Sequence, residues 1–344
     1  MSSKTKGVVL ISILLIVLIL SSVAILFGNK YLLSLKRAQY TEFQIISLNI
    51  FRNLESLSKH KIDKELRFNS SKLSKNNPII NSNFIFNVNG ADIVSNIKDA
   101  SNCFNINSLV VYKDDNYYEN IKSINALKRF MSLQDIDDNL IDELIDQIID
   151  WIDLDSNPRT YGLENYYYTG PLHSPKEYSG MRLMTSIEEL KSIPASNNID
   201  WEIFKNYFCA LPMSPDLSLN INTLSQKDAF LLASIYPNIE LDDSEYIIEN
   251  IPLEGFADII NFNTTFPDLD FTMSNGKVLF KSNIFEITTS INFNEYLSES
   301  RSIIIYGNNK NSYIFSRIYM VFDEHLHSTC KQFKPSIRII LFLQ

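Results

Sequence analysis

The strongest constraint on this chain is an uncharged run of 20 residues, Val8–Phe27, made mostly of Leu, Ile and Val. As a helix it rises about 30 Å, the thickness of a bilayer's hydrocarbon core. A cleaved secretory signal would have a shorter apolar stretch and a small-residue cleavage site after it, and neither is present. Lys4 and Lys6 precede the run, while Lys30, Lys36 and Arg37 follow it. Charge counting therefore does not orient the span.

The apolar pattern continues past the span at helical spacing through Leu32, Leu33, Leu35, Phe43, Ile46, Ile50, Leu54 and Leu57. These residues are expected to form the buried stripe of one long helix. Residues 67–82, rich in Ser, Asn and Lys, read as a surface loop, and Phe84–Val88 as a strand. Residues 103–252 read as largely helical. From Gly255 onward β-branched and aromatic runs predict strands at Ile284–Phe293, Ser302–Tyr306, Tyr313–Phe322 and Ser336–Leu343. A strand, a helical block and further strands imply a helical insertion within a helix-plus-antiparallel-sheet domain.

An internal repeat falls inside the helical block. Asn105-Ile106-Asn107-Ser108-Leu109 recurs as Asn220-Ile221-Asn222-Thr223-Leu224. Asn side chains bond nearby backbone, so the repeat is expected to open two similar helical units rather than to do chemistry. Ser225 and Asp228 form the expected cap of the helix Ala229–Tyr236.

The acidic stretch after the helix Asn139–Ile152 is the candidate site. Asp153, Asp155, Asn157 and, after Gly162, Glu164 follow the spacing by which alternate oxygen donors curl round a calcium ion and a distant Glu closes the cage. Pro158 stands where an EF-hand needs glycine, which argues against a true EF-hand. A different calcium loop and a solvated acidic turn both fit these residues.

With 31 Lys plus Arg against 40 Asp plus Glu, the net charge is -9, which argues against a nucleic-acid partner. His60, His173, His325 and His327 lack zinc-site spacing, and no hydrolase signature stands out. The reading is a non-enzymatic chain. A signal-anchored periplasmic enzyme and a generic membrane-tethered binding domain are the alternatives.

Several motifs together resemble general secretion pathway protein K, the K-type minor pseudopilin family of type II secretion. They are the leader Lys6-Gly7 running straight into Val8, Asp150-Trp151-Ile152-Asp153-Leu154-Asp155, Pro158-Arg159, Gly162-Leu163-Glu164, Tyr167-Tyr168, Ile187-Glu188-Glu189-Leu190 and both Asn repeats. Ser12, the fifth residue after Gly7, stands where other pilin-like subunits carry Glu. An unpaired carboxylate in lipid costs about 3 kcal/mol, and a tip subunit has no neighbour above to pair it. Departures from the family are Leu163 in place of Ala, Val8 as first mature residue and Cys103 where Gly or Arg is usual.

The resemblance implies an α+β fold: a pilin-like long N-terminal helix on an antiparallel sheet, with a large inserted all-α domain of two helical (SAM-like) repeats. Its parts would be a leader (1–7), a transmembrane helix (8–28), pilin-like segments (29–102 and 253–344) and the insertion (103–252). It implies cleavage between Gly7 and Val8 by prepilin peptidase, methylation of the new terminus, and a single-pass inner-membrane protein with a periplasmic body. Implied partners are the I- and J-type minor pseudopilins, membrane lipid, and the outer-membrane secretin or secreted cargo. The implied cofactor is structural calcium on Asp153, Asp155 and Glu164, with Asn157 a weaker ligand. Of Cys103, Cys209 and Cys330, an oxidising compartment permits one disulfide, with Cys103 and Cys209 the candidate pair; three free thiols fit equally.

Overall fold

The structure, a computed structural model, describes residues 4–68, 72–80, 83–88, 90–212, 216–294, 296–307 and 309–323. The predicted strand Ser336–Leu343 lies outside these residues, as do His325, His327 and Cys330.

Helix α1 (Lys4–Phe68) runs unbroken for 65 residues, about 98 Å. It contains no proline, and Gly28 adds no kink in a stretch that touches nothing else. Residues 10–39 are exposed. Among the described residues, α1 holds the one span long and apolar enough to cross a membrane.

From Tyr40 onward α1 packs on a sheet. The buried stripe is Phe43, Ser47, Phe51, Leu54, Glu55, Ser58, Ile62 and Leu66. Phe43 and Leu54 are where the apolar spacing put them and Ile50 is half-buried, but Leu32, Leu33, Leu35, Ile46 and Leu57 are exposed. The difference has a physical cause. The sheet offers Ser298, Ser300 and Ser302 to the helix, so small and hydrogen-bonding side chains replace leucine on the buried face. Glu55, buried in α1, accepts hydrogen bonds from Ser302 Oγ and from Arg317 Nε at 2.8 Å. Two turns on, Asp63 Oδ1 accepts from the Ser312 backbone N–H at 2.7 Å. Phe43 stacks on Tyr296 and Phe51 on Tyr319.

The sheet is antiparallel, in the order β1 (Asn83–Val88), β2 (Ala91–Asp99), β9 (Ile284–Phe293), β10 (Tyr296–Tyr306), β11 (Ser312–Asp323). Ile93 pairs with Ile291 and Ile97 with Ile287 on the helix side. Of the expected loop 67–82, Arg67 and Phe68 still belong to α1 and residues 72–80 form a loop, in which Leu73 and Ile79 are fully buried.

Residues 100–283 leave the sheet between its adjacent strands β2 and β9 and build a second, mainly helical body. Its elements are β3 (Phe104–Asn105), the hairpin β4 (Val110–Lys113) and β5 (Asn116–Glu119), α2 (Ile121–Ser132), α3 (Asp138–Ile152), α4 (Asn165–Tyr168), α5 (Trp201–Tyr207), β6 (Phe208–Cys209), β7 (Ser218–Asn220), α6 (Ala229–Ile235), α7 (Leu241–Glu249), α8 (Ile259–Thr265) and β8 (Lys277–Leu279). The boundary expected at 252 falls short. Phe256, Phe262 and Phe266 are buried in the same core as α2, α3, α6 and α7, so their aromatic run belongs to the helical body and not to the sheet.

The two Asn repeats occupy matching places. Asn105 and Asn220 each end a short strand in a parallel pair, β3 with β6 and β7 with β8. Each accepts a bond from the backbone N–H two residues on and starts a 3-10 turn. The Ser225 N–H and hydroxyl both donate to Asp228, as the cap requires. Cys103 and Cys209 form a disulfide beside the first pair. At the junction with the sheet, Asp99 accepts from Asn220, Thr223 and Ser101.

Candidate metal centre

The site begins with α3. Asp137 caps it by accepting from the Asn139 N–H, and Ile141, Leu144, Ile145, Ile148, Ile149 and Ile152 are buried along one side. Its last turn holds Asp150 and ends at Asp153, with no basic residue. A helix C-terminus carries partial negative charge, so two carboxylates there oppose the dipole unless a cation is near.

The chain then folds back on the helix end. The Arg159 N–H donates to Asp150 Oδ2 at 3.1 Å, and the Tyr161 N–H to Asp146 Oδ2 at 3.1 Å. Gly162 is required for this return, since a Cβ there would lie 1.8 Å from Asp150 Oδ2. Glu164 precedes α4, whose Tyr168 is buried edge-on against Trp151. The Met181 N–H donates to the Trp151 carbonyl at 2.9 Å, fastening the Tyr-rich segment to α3. At Gly180 a Cβ would come within 2.7 Å of the Trp151 indole nitrogen. The Trp151 indole N–H donates to Glu189, which also accepts from Thr185.

This folding brings Asp153, Asp155 and Glu164 together, each with one oxygen within 4.8 Å of the others. Ligands at 2.3–2.6 Å from a calcium ion stand at most about 5 Å apart, so the spacing suits that ion. Asp153 and Glu164 are buried, and Asp155 is exposed. Asp153 Oδ1, Glu164 Oε1 and the neighbouring Asp150 Oδ1 are buried without a hydrogen bond. Buried carboxylate oxygens left bare are costly, and a hard cation is the partner that would satisfy several at once. Asn157 stays outside the cluster; it is exposed, and its N–H donates to Asp155 Oδ1 at 2.7 Å.

The electrostatics agree with the geometry. Burial, reinforced by Asp153, pushes the Asp150 carboxyl up to about 6 against the Arg159 N–H bond. Burial and the Asp155 charge push Asp153 up to about 6. Burial, Asp153 and Asp150 push Glu164 up to about 7. Crowded, desolvated carboxylates hold protons when they have no metal.

Among the other predicted residues, Gly7 and Val8 lie in the first turns of α1. Asp150 and Tyr168, both wholly buried beside the cluster, were visible in the sequence only as parts of a motif. The usable signal for Asp150 was its place at the C-terminal end of an amphipathic helix.

The family model described as "Type II secretion system (T2SS), protein K" matches residues 102–213, a stretch holding the acidic loop and both bridged cysteines. Over that stretch the chain is similar to the type II secretion K proteins. Similar relatives carry the same name: a putative protein K of Escherichia coli K12, 22% identical over 74% of this chain and 78% of its own length, and protein K of Pectobacterium carotovorum, 30% identical over 51% and 53%. Protein K of Aeromonas hydrophila is 28% identical over 51% of this chain and 54% of its own. The alignments thus span little more than half the length of the latter two. In fold, the chain is similar to a chain from the GspK-GspI-GspJ complex of enterotoxigenic E. coli, with a TM-score of 0.70 over 83% of this chain and 99% of that one, at 20% identity.

Proposed function

We propose that this chain is a non-enzymatic minor pseudopilin that caps the tip of a type II secretion pseudopilus. The observation that carries the reading is α1 itself, exposed over residues 10–39 and apolar up to Phe27, then packed on an antiparallel sheet that bears a large helical body. The bare half anchors the chain in the inner membrane with the body in the periplasm. Lipid-embedded helices associate by close packing and polar contacts, and this half would bundle so with I- and J-type pseudopilins. The similar chain of enterotoxigenic E. coli comes from a GspK-GspI-GspJ complex. The helical body would block addition of a further subunit above it, start assembly and support export, meeting secretin or cargo at the tip.

Prepilin peptidase would cut between Gly7 and Val8, with methylation of the new terminus. Asp153, Asp155 and Glu164 would hold a structural calcium ion that ties the Tyr-rich segment to α3; Asp150 would shape the loop behind them.

The test is co-expression of the full chain with I- and J-type pseudopilins and prepilin peptidase. A three-way complex should copurify from membranes, with the K-type chain beginning at Val8. An uncut N-terminus, or a chain that purifies alone, would refute the proposal.

A further inference from the structure

Arg159 lies in the acidic loop between two of its carboxylates, Asp155 and Glu164, and faces two others. Its Nε stands 3.5 Å from Asp150 Oδ1, and neither atom makes a hydrogen bond although both are buried. Its Nη1 pairs with Glu119 at the end of β5, across the loop from the cluster. The Asp150 side chain has no solvent exposure, whereas that of Glu119 is 38% exposed. The guanidinium is thus shared unequally: hydrogen-bonded through Nη1 to the outer carboxylate and held short of good geometry with the inner one. Among the described residues no ion pair reaches Asp153, Asp155 or Glu164.

We infer that Glu119 sets how tightly the acidic loop holds a cation, by keeping the Arg159 guanidinium off the carboxylate cluster. The inference rests on the cation reading of Asp153, Asp155 and Glu164. A guanidinium released from Glu119 can turn to Asp150, which already stands 3.5 Å from its Nε and lies three residues from Asp153. Moving there, it neutralises part of the field that attracts a divalent ion and repels the ion directly. The Arg159 charge already reaches Asp153 from its present position. The hairpin β4–β5 and the loop are therefore coupled. A partner that took Glu119 for itself would weaken the cation site, and cation binding would disfavour that partner by the same factor.

Calcium alone, titrated calorimetrically into the full chain in detergent, tests this. Glu119→Gln should weaken binding by about 3- to 10-fold, the range for a partly solvated charge brought near the site. Arg159→Gln should tighten it by a similar factor, because its backbone N–H still holds Asp150. The double variant should bind like Arg159→Gln. Loss of loop shape would weaken both single variants and leave the double variant weakest; that result overturns the inference, as does calcium binding unchanged in either single variant. Melting in EDTA shows whether a variant is folded, and the double variant decides the case if Glu119→Gln loosens the hairpin. If the unaltered chain binds no calcium, the cation reading falls first and this inference with it.

Discussion

The two helical units opened by the Asn repeats share a clamp and differ in what it must close. In the second unit, Asn222 Oδ1 accepts from the Phe256 N–H at 2.7 Å and its Nδ2 donates to the Phe256 carbonyl at 2.9 Å. In the first, Asn107 makes the same two bonds with Met184, both at 2.8 Å. One side-chain amide thus pairs with one residue's backbone as a neighbouring strand would. The clamped residue is 34 positions away in the second unit and 77 in the first. The surplus is the β4–β5 hairpin and the acidic, Tyr-rich return after α3. Among the described residues, only the first unit has a disulfide and a carboxylate cluster. A short return needs nothing beyond its helices and clamp, while a long one has low contact density and gains from a covalent and an ionic staple.

The sharpest way to break this comparison is to remove the clamps. Asn107→Ala and Asn222→Ala each strand a buried N–H and a carbonyl, at a cost of about 2–4 kcal/mol in chemical denaturation. Similar costs are expected, since Asn107 also donates to Leu211 and Asn222 to Phe280. A loss near zero at either position would show that the two clamps are not equivalent.

The staples should separate the units. Replacing Cys103 and Cys209 by serine opens a loop of 106 residues and should cost about 3 kcal/mol. Hydrogen exchange should place the loosening in the first unit. Chelation should come next: taking calcium from a site held at 100 times its Kd removes about 2.7 kcal/mol, read as lowered melting temperature. Residues 153–181 should lose amide protection while 222–256 keep theirs. Equal loss in both units would end the distinction between a stapled and an unstapled return.

A smaller effect comes from pH. Asp150, Asp153 and Glu164 have folded values raised to about 6, 6 and 7. Such groups bind more protons folded than unfolded, so without metal the first unit gains stability as pH falls from about 7 towards 4. With calcium the sign reverses, because protonation then competes with the ion. Melting curves at pH 5 and 7.5, with EDTA or calcium, should cross over in this sense.

Much of the architecture was legible in the sequence because it rests on periodicity. Strand Ile284–Phe293 has the bounds its β-branched and aromatic run predicts, and α3 differs from its predicted bounds by one residue. The three carboxylates were legible from spacing alone, though not whether they converge, which depends on Gly162 packing against Asp150. The stalk's buried stripe was misread because its partner face is serine-rich, and no rule of apolar spacing marks Ser47, Glu55 or Ser58 as buried. The helical body's end was misplaced for the opposite reason: Phe256, Phe262 and Phe266 resemble strand residues until the core they fill is known.

Glu55 and Asp63 also bear on mechanics. Sliding the stalk one turn, about 5.4 Å, would part Glu55 from Arg317 and Asp63 from Ser312 together, leaving an uncompensated buried charge that costs about 3–5 kcal/mol. The joint is therefore keyed against axial slip. Thrust applied at the foot of α1 reaches the sheet as displacement of one rigid piece, not as shear between rod and head.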